Sequence, residues 1–269
     1  MTELAEVAFY ARQWDPVIGQ RIESAYIDKT SRVLRENKTL SKDTFTGRRF
    51  IAYHLHGKQM LFEFEGAGWL RLHLGMTGKL RTEPTSESST YQPRPHDRLV
   101  LYTQPCIATF NDARHFGRIT WLDSVDTPTF WTALPPAVNS KDFTEEITEN
   151  ALKRRPKTAI KTLLLDQAYF PGVGNWMADE ILWRAKIHPA SRSGSLNGFK
   201  ARALYNKIVE VAHDSMRVIA QDWSTPPDEW LFNHRWKDGG ICPKSGAPLL
   251  REKINGRTAC WSPAIQKII

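Results

Sequence analysis

The sequence predicts an α+β protein of several domains: a β-rich N-terminal part led by a short helix, a basic helical part, and a small C-terminal hairpin module. Three observations carry this. Short apolar runs separated by turn signals fill residues 20–125. Beyond residue 150 the apolar period becomes helical. The charge divides at the same place. Residues 1–150 hold 18 basic and 19 acidic side chains, whereas residues 151–269 hold 19 basic and 10 acidic, a net of +9.

Leu4, Val7, Ala8, Ala11 and Trp14 follow the spacing of one buried helix face, so residues 3–14 are read as a helix. Strand-like runs follow at Arg49–Leu55, Gln59–Glu65, Trp69–Leu74, Leu99–Thr103 and Ile107–Phe110. His56-Gly57 and Gly66-Ala67-Gly68 punctuate them, and Thr82–Pro95 reads as a loop without strand pattern. Many short strands in succession predict an antiparallel sandwich or barrel. Thr127-Pro128 and Pro135-Pro136 break regular structure, and the acidic run Asp142–Glu149 follows. Helical faces then run through Ala159–Asp166, Asn175–Ala185 and Gly198–Ile219. Trp223–Glu229 is a Pro-containing linker, and the tail carries β-like pieces around Gly239-Gly240, Gly246 and Asn255-Gly256.

The composition narrows the function. The chain of 269 residues is 41% hydrophobic and 25% charged, which excludes a disordered chain. No apolar run approaches the roughly 18 residues that span a bilayer. The start, MTELAEV, lacks the basic and apolar regions of a secretory signal. Three cysteines exclude a disulfide scaffold and suit a reducing compartment. The expected location is the cytoplasm (a bacterial nucleoid) or the nucleus. The net charge of +8 and ten tryptophans point to a polyanion partner, nucleic acid or an anionic membrane surface.

Several short segments carry candidate chemistry. Removal of Met1 leaves the α-amine of Thr2, which is partly neutral near pH 7 and able to attack an aldehyde carbon. Glu3 and Glu6 lie beside it, although acids in a first helical turn are also ordinary dipole partners. Lys58, at a hairpin tip, has the charge to hold a phosphate. His73–Gly78 sets Met76 in a glycine-bounded turn, and Asn111–Gly117 sets Arg114 and Phe116 in one loop. Such side chains fill a base stack when a nucleotide is extruded. Pro171-Gly172-Val173-Gly174-Asn175 opens a helix, where glycines admit a phosphate to backbone N–H groups and Asn175 suits the cap.

In order and spacing these segments resemble the formamidopyrimidine-DNA glycosylase/endonuclease VIII family of base-excision repair enzymes. Thr2–Val7 is similar to its PELPEV start, His73–Gly78 to its HLGMSG motif, and Asn111–Gly117 to its NDxRRFG motif. Lys157–Lys161 and Gly172–Glu180, with Ile187-His188-Pro189 after them, are similar to its helix–two-turns–helix core. The resemblance implies an N-terminal antiparallel β-sandwich over 1–133, a linker over 134–150, a helix–two-turns–helix bundle over 151–231, and a hairpin finger over 232–269. It implies a monomeric DNA glycosylase with AP-lyase capability, acting on double-stranded DNA with a damaged base or abasic site, with no membrane role. The alternatives are a damage-binding protein of the same fold with weak or no catalysis, or a glycosylase without the lyase step.

The resemblance also implies roles. Thr2 attacks the sugar C1′. Glu3 is the acid that opens the deoxyribose ring and Glu6 a supporting acid. Lys58, counted with the catalytic set, and Asn175 hold the phosphates that flank the flipped nucleotide, Arg257 is the phosphate-binding arginine of the hairpin, Lys157 is a further DNA contact, and Met76, Arg114 and Phe116 fill the gap left by the flipped base. Four departures stand out. Thr2 replaces proline, so a primary amine replaces a secondary one and its hydroxyl is expected to compete for Glu3. His115 replaces the second arginine of NDxRRFG. The short 221–231 linker, where relatives carry a longer lesion loop, points away from an 8-oxoguanine preference. The family's zinc positions fall on Cys242, Ser245, Ser262 and Ile265, with Cys260 out of register, which implies a zincless finger without metal or cofactor, packed by Trp261 and Leu250. A rescue through His234, Cys242 and Cys260 is the other arrangement weighed.

Overall fold

The computed structural model describes residues 2–37, 40–85 and 91–269. They form two compact units: Thr2 with Glu6–Leu134, and Glu3–Ala5 with Pro135–Ile269. The chain passes between them at Thr2–Glu3, Ala5–Glu6 and Leu134–Pro135.

The first unit contains most of α1 (Leu4–Arg12), then β1 (Ser24–Ile27), β2 (Phe50–His56), β3 (Gln59–Phe64), β4 (Gly68–His73), β5 (Lys79–Pro84), β6 (Asp97–Tyr102), β7 (Cys106–Asn111), β8 (Arg118–Asp123) and the single turn α2 (Thr129–Thr132). Two antiparallel four-stranded sheets result, ordered β1-β6-β7-β5 and β2-β3-β4-β8. The expected face of α1 is fully used, since Val7, Ala11 and Trp14 are buried in a core shared by both sheets. Trp14 packs on Phe50 and Phe62, and its indole N–H donates to Thr109 O at 3.3 Å. That bond satisfies the one polar atom of a fully buried indole. β6 and β7 are central strands with five consecutive buried residues each, which is why they read as apolar runs rather than alternation.

One expectation fails here. Thr82–Pro95 was read as a loop, but Thr82, Glu83 and Pro84 complete β5. β5 is an edge strand with little burial, so it carries polar residues and tolerates a terminal proline. The rest of that stretch includes residues 86–90, which lie outside the described residues.

The second unit contains α3 (Glu145–Arg154), α4 (Ile160–Leu164), α5 (Asn175–Arg184), α6 (Phe199–Asp222) and a hairpin of β9 (Leu250–Ile254) and β10 (Arg257–Trp261). Residues 145–150 of the segment read as linker belong to α3. Thr144 caps it by accepting from Ile147 N–H, acids occupy its first turn, and Lys153 and Arg154 its last. The hairpin turns at Asn255-Gly256, both with positive φ, as a two-residue turn matched to strand twist requires. Among the described residues no helix is long and apolar enough to cross a membrane.

Candidate active site and nucleic-acid interface

In the first unit, Thr2 and the loops 73–78 and 111–117 are fastened together. The Thr2 hydroxyl donates to Gly75 O at 3.1 Å, which replaces the expected contest for Glu3. Gly75 has φ +65, and a Cβ there would strike the backbone of Phe116. Only glycine lets loop 73–78 lie against loop 111–117 in this way. Met76 and Phe116, on these adjoining loops, are each exposed, and Arg114 lays its guanidinium over the Phe116 ring at 4.6 Å.

Asp112, which the sequence reading left without a role, organises this cluster. It is fully buried. Its Oδ1 accepts from Thr77 Oγ1 at 2.6 Å and Arg114 N–H at 3.2 Å, and its Oδ2 from Gly117 N–H at 2.7 Å. One carboxylate therefore clamps both loops. An acid inside a short loop rich in backbone donors was the available signal. His115 adopts φ +55, and its Nε2 lies 2.9 Å from Arg98 Nη2. Arginine only donates, so Nε2 accepts and Nδ1–H donates to Ser31 Oγ at 2.9 Å. This residue holds the loop rather than charging it.

Lys58 is the second residue of the β2–β3 turn and is half-buried. Its charge reaches His73, whose imidazole falls to about 4 because of burial first and then Lys58, Arg118 and Arg71. His73 Nδ1 accepts Gly75 N–H at 3.0 Å, so the neutral ring carries its proton on Nε2. Glu6 is buried in the first turn of α1.

In the second unit, Glu3 is the pivot. Its buried carboxylate accepts Trp176 N–H at 2.9 Å and Met177 N–H at 3.0 Å, the orphan donors at the start of α5. The positive end of the helix dipole favours the anion there. These amides were read as phosphate ligands; an internal carboxylate takes them instead. Gly174 is the N-cap, not Asn175, and a Cβ on it would collide with the Glu3 carboxyl carbon. Asn175 opens the helix, and its Oδ1 is buried with no hydrogen-bond partner among the described residues.

α5 is buried all round from Trp176 to Trp183, so its acids must be paired. Asp179 bonds Lys161 Nζ, Arg235 Nε at 3.1 Å and Cys260 N–H at 3.1 Å. Lys161 also donates to Thr258 O at 2.9 Å and Asn175 O at 3.4 Å. Burial pulls the Lys161 ammonium below the usual lysine range, and Asp179 opposes that pull. This network joins α4, α5 and β10, which carries Arg257 on its exposed start. The sequence reading chose Lys157, which is exposed, over the fully buried Lys161 four residues on. A lysine on the apolar face of Ile160–Leu164 was the sign of a paired interior charge.

The family's zinc positions do not fit a metal. Cys242 and Cys260 belong to an apolar cluster with Trp183, Leu231 and Leu249, against which Ile265 packs. Burial raises the Cys242 thiol, but hydrogen bonds from Ser245, Trp183 and Ser262 outweigh it and bring the thiol down to about 7. Among the described residues no group of three His, Cys, Asp or Glu side chains could hold a metal ion. The packing differs from expectation. Leu250 is exposed and Leu249 takes the core position, while Trp261 packs on His188 with ring centroids 4.1 Å apart.

The chain thus pairs a two-sheet unit with clamped loops and a helical unit with an acid on a helix N-terminus and a C-terminal hairpin, and the comparisons place this architecture in a family of DNA-repair enzymes. The formamidopyrimidine-DNA glycosylase N-terminal domain matches residues 1–119, and the H2TH domain of the same enzyme matches residues 134–225. A formamidopyrimidine-DNA glycosylase of Solibacter usitatus is 33% identical over 99% of this chain and 100% of its own length. One of Thermus thermophilus is 32% identical over 99% and 98%. The structure of Lactococcus lactis Fpg with abasic-site DNA superposes with a TM-score of 0.84 at 27% identity, covering 98% of this chain and 99% of that one. The chain belongs to the formamidopyrimidine-DNA glycosylase family.

Proposed function

We propose that this chain is a base-excision repair DNA glycosylase and AP lyase whose nucleophile is the α-amine of Thr2. The observation that carries the reading is the Thr2 hydroxyl on Gly75 O, which fixes residue 2 beside the loop that presents Met76. The amine attacks C1′ of a flipped nucleotide, and the base leaves with the electron pair of the glycosidic bond. The amine loses two protons, one that leaves with the base and one that reaches O4′ as the C1′–O4′ bond breaks, the ring opens and the C1′–N bond becomes an imine. A primary amine gives an imine that must be protonated before it can draw electrons from C2′, so β-elimination should lag base release. Glu3, an anion at rest on the α5 amides, takes up a proton from the attacking amine and passes it to O4′, with Glu6 in support.

Met76, Arg114 and Phe116 fill the vacated stack, which is consistent with their exposure and shared clamp. Lys58, Lys157, Asn175 and Arg257 meet backbone phosphates, which accords with the +9 charge of residues 151–269. The hairpin keeps its form through the Cys242–Cys260 cluster and the Lys161–Asp179–Arg235 network, with no metal. The test is a panel of lesion-bearing duplexes scored separately for base release and strand cleavage. Base release from at least one lesion is expected, with slower cleavage. Absence of both, on all lesions and on abasic sites, overturns the reading.

A further inference from the structure

On the β4–β8 edge of the first unit, Arg35, Arg71, His73, Phe116 and Arg118 enclose a cavity of about 200 Å³. Arg71 and His73 are two apart on β4 and share a face, and His73 pairs in register with Arg118 of β8. Three guanidinium groups therefore converge on one small space. Their counter-charge is thin. Glu36 meets Arg118 at 3.1 Å, while Arg35 has no carboxylate within ion-pair distance among the described residues. Arg71 is held from behind by Gln59 Oε1 at 2.6 Å and stacks over the Phe130 ring at 4.5 Å.

The lining offers donors to an anion. Arginines only donate, and His73 has its Nδ1 occupied by Gly75 N–H, which leaves Nε2–H as a donor. Burial and then Arg118 lower the Arg71 guanidinium, and burial followed by Lys58, Arg118 and Arg71 lowers the His73 imidazole. Like charges pressed together without an anion raise the energy of the empty site, and a bound anion lowers it. Guanidinium forks match the oxygens of a phosphate in geometry as well as charge.

We propose that Arg35, Arg71 and Arg118 form a phosphodiester-binding site of their own, which grips the DNA backbone next to the wedge residue Phe116. The assignment rests on the glycosylase reading above, because Phe116 rims the cavity and a stack-filling side chain brings the neighbouring backbone to it. Phosphate contacts set register on the duplex and carry no sequence information. The site's task is thus to hold the helix steady at the kink while the nucleotide is out.

The experiment compares wild type, Arg35→Gln/Arg118→Gln and Glu36→Gln on a duplex with an abasic-site analogue. Arg71 is left alone because it packs on Phe130. The dissociation constant is followed against salt, and single phosphates are neutralised in turn as methylphosphonates. Neutralising one phosphate less lowers the salt slope by about 0.9. The double variant should lose that much slope. One methylphosphonate position should weaken wild type and have no further effect on the double variant. Glu36→Gln, which removes the competing carboxylate, should bind several-fold tighter. An unchanged slope with every position still additive overturns the site, and if abasic DNA is still cleaved the glycosylase reading stands. Loss of inorganic phosphate binding with an unchanged DNA slope overturns the DNA assignment. A wild type that neither binds nor cleaves damaged duplex overturns both readings.

Discussion

Glu3 fills the space that a side chain on Gly174 would need, and its carboxylate caps the helix that Gly174 begins. The glycine of the helix-opening segment thus serves an internal acid. Its backbone has φ −120 and ψ −164, which alanine adopts freely, so the constraint is contact and not conformation. Gly174→Ala should cost about 1–3 kcal/mol by overpacking. It should also move Glu3 off its amides and reduce base release by on the order of 10²-fold, as small misplacements of reacting groups do. Single-turnover base release beside denaturant unfolding separates the two effects. Unaltered turnover would argue that Glu3 has no part in the chemistry.

Asp112 predicts a loop defect with a distant readout. Asp112→Ala leaves the donors of Thr77, Arg114 and Gly117 unmatched in the interior, at a cost of about 3 kcal/mol. Loops 73–78 and 111–117 then lose their common anchor. A fluorescent base analogue placed beside an abasic site should report weaker unstacking than in wild type, even at saturating protein. Asp112→Asn, which keeps the shape but turns an NH2 toward one of these donors, should restore only part of that signal.

His73 makes stability pH-dependent with a definite sign. Its folded value is about 4 against an ordinary 6.5, so between these values the unfolded chain binds a proton that the folded one refuses. The stabilisation is full above pH 6.5 and falls as pH drops toward 4, by up to about 3 kcal/mol. His73→Gln removes the effect. The difference between the unfolding free energies of wild type and His73→Gln should therefore change across pH 6.5 to 4 and be flat above pH 7.

The interior network predicts an asymmetry. Lys161→Met leaves Asp179 paired with Arg235, whereas Asp179→Asn leaves two buried cations facing each other. Breaking a buried pair by removing its shared partner costs about 3–5 kcal/mol. Asp179→Asn should therefore unfold at lower denaturant than Lys161→Met. Amide exchange at Cys260, whose N–H bonds Asp179, should speed up more in Asp179→Asn than elsewhere on the hairpin.

Much of this architecture was legible in the sequence, for identifiable reasons. β2, β3 and β4 are aromatic and aliphatic runs bounded by Gly57, Gly66 and Gly68, so periodicity and turn residues agree. β5 escaped because an edge strand need not look apolar. α3 was hidden by its acids, although Thr144 and the paired charge pattern marked both ends. The motif positions were visible as motifs. Their connections were not, because Asp112 reaching Thr77 and Asp179 reaching Cys260 are contacts over 35 and 81 residues. In the sequence Gly75 is a turn glycine and Gly174 a glycine that admits a phosphate to a helix N-terminus, and their neighbours Phe116 and Glu3 emerge only in three dimensions.

The central claim is that the amine of Thr2 forms the bond to C1′. Borohydride trapping on a duplex with an abasic site, followed by peptide mapping of the adduct, tests it most directly. Protein freed of Met1 should yield one adduct, on the N-terminal Thr2 peptide, and protein that retains Met1 should yield none. An adduct mapped to a lysine, or bound DNA without any adduct, would contradict the account.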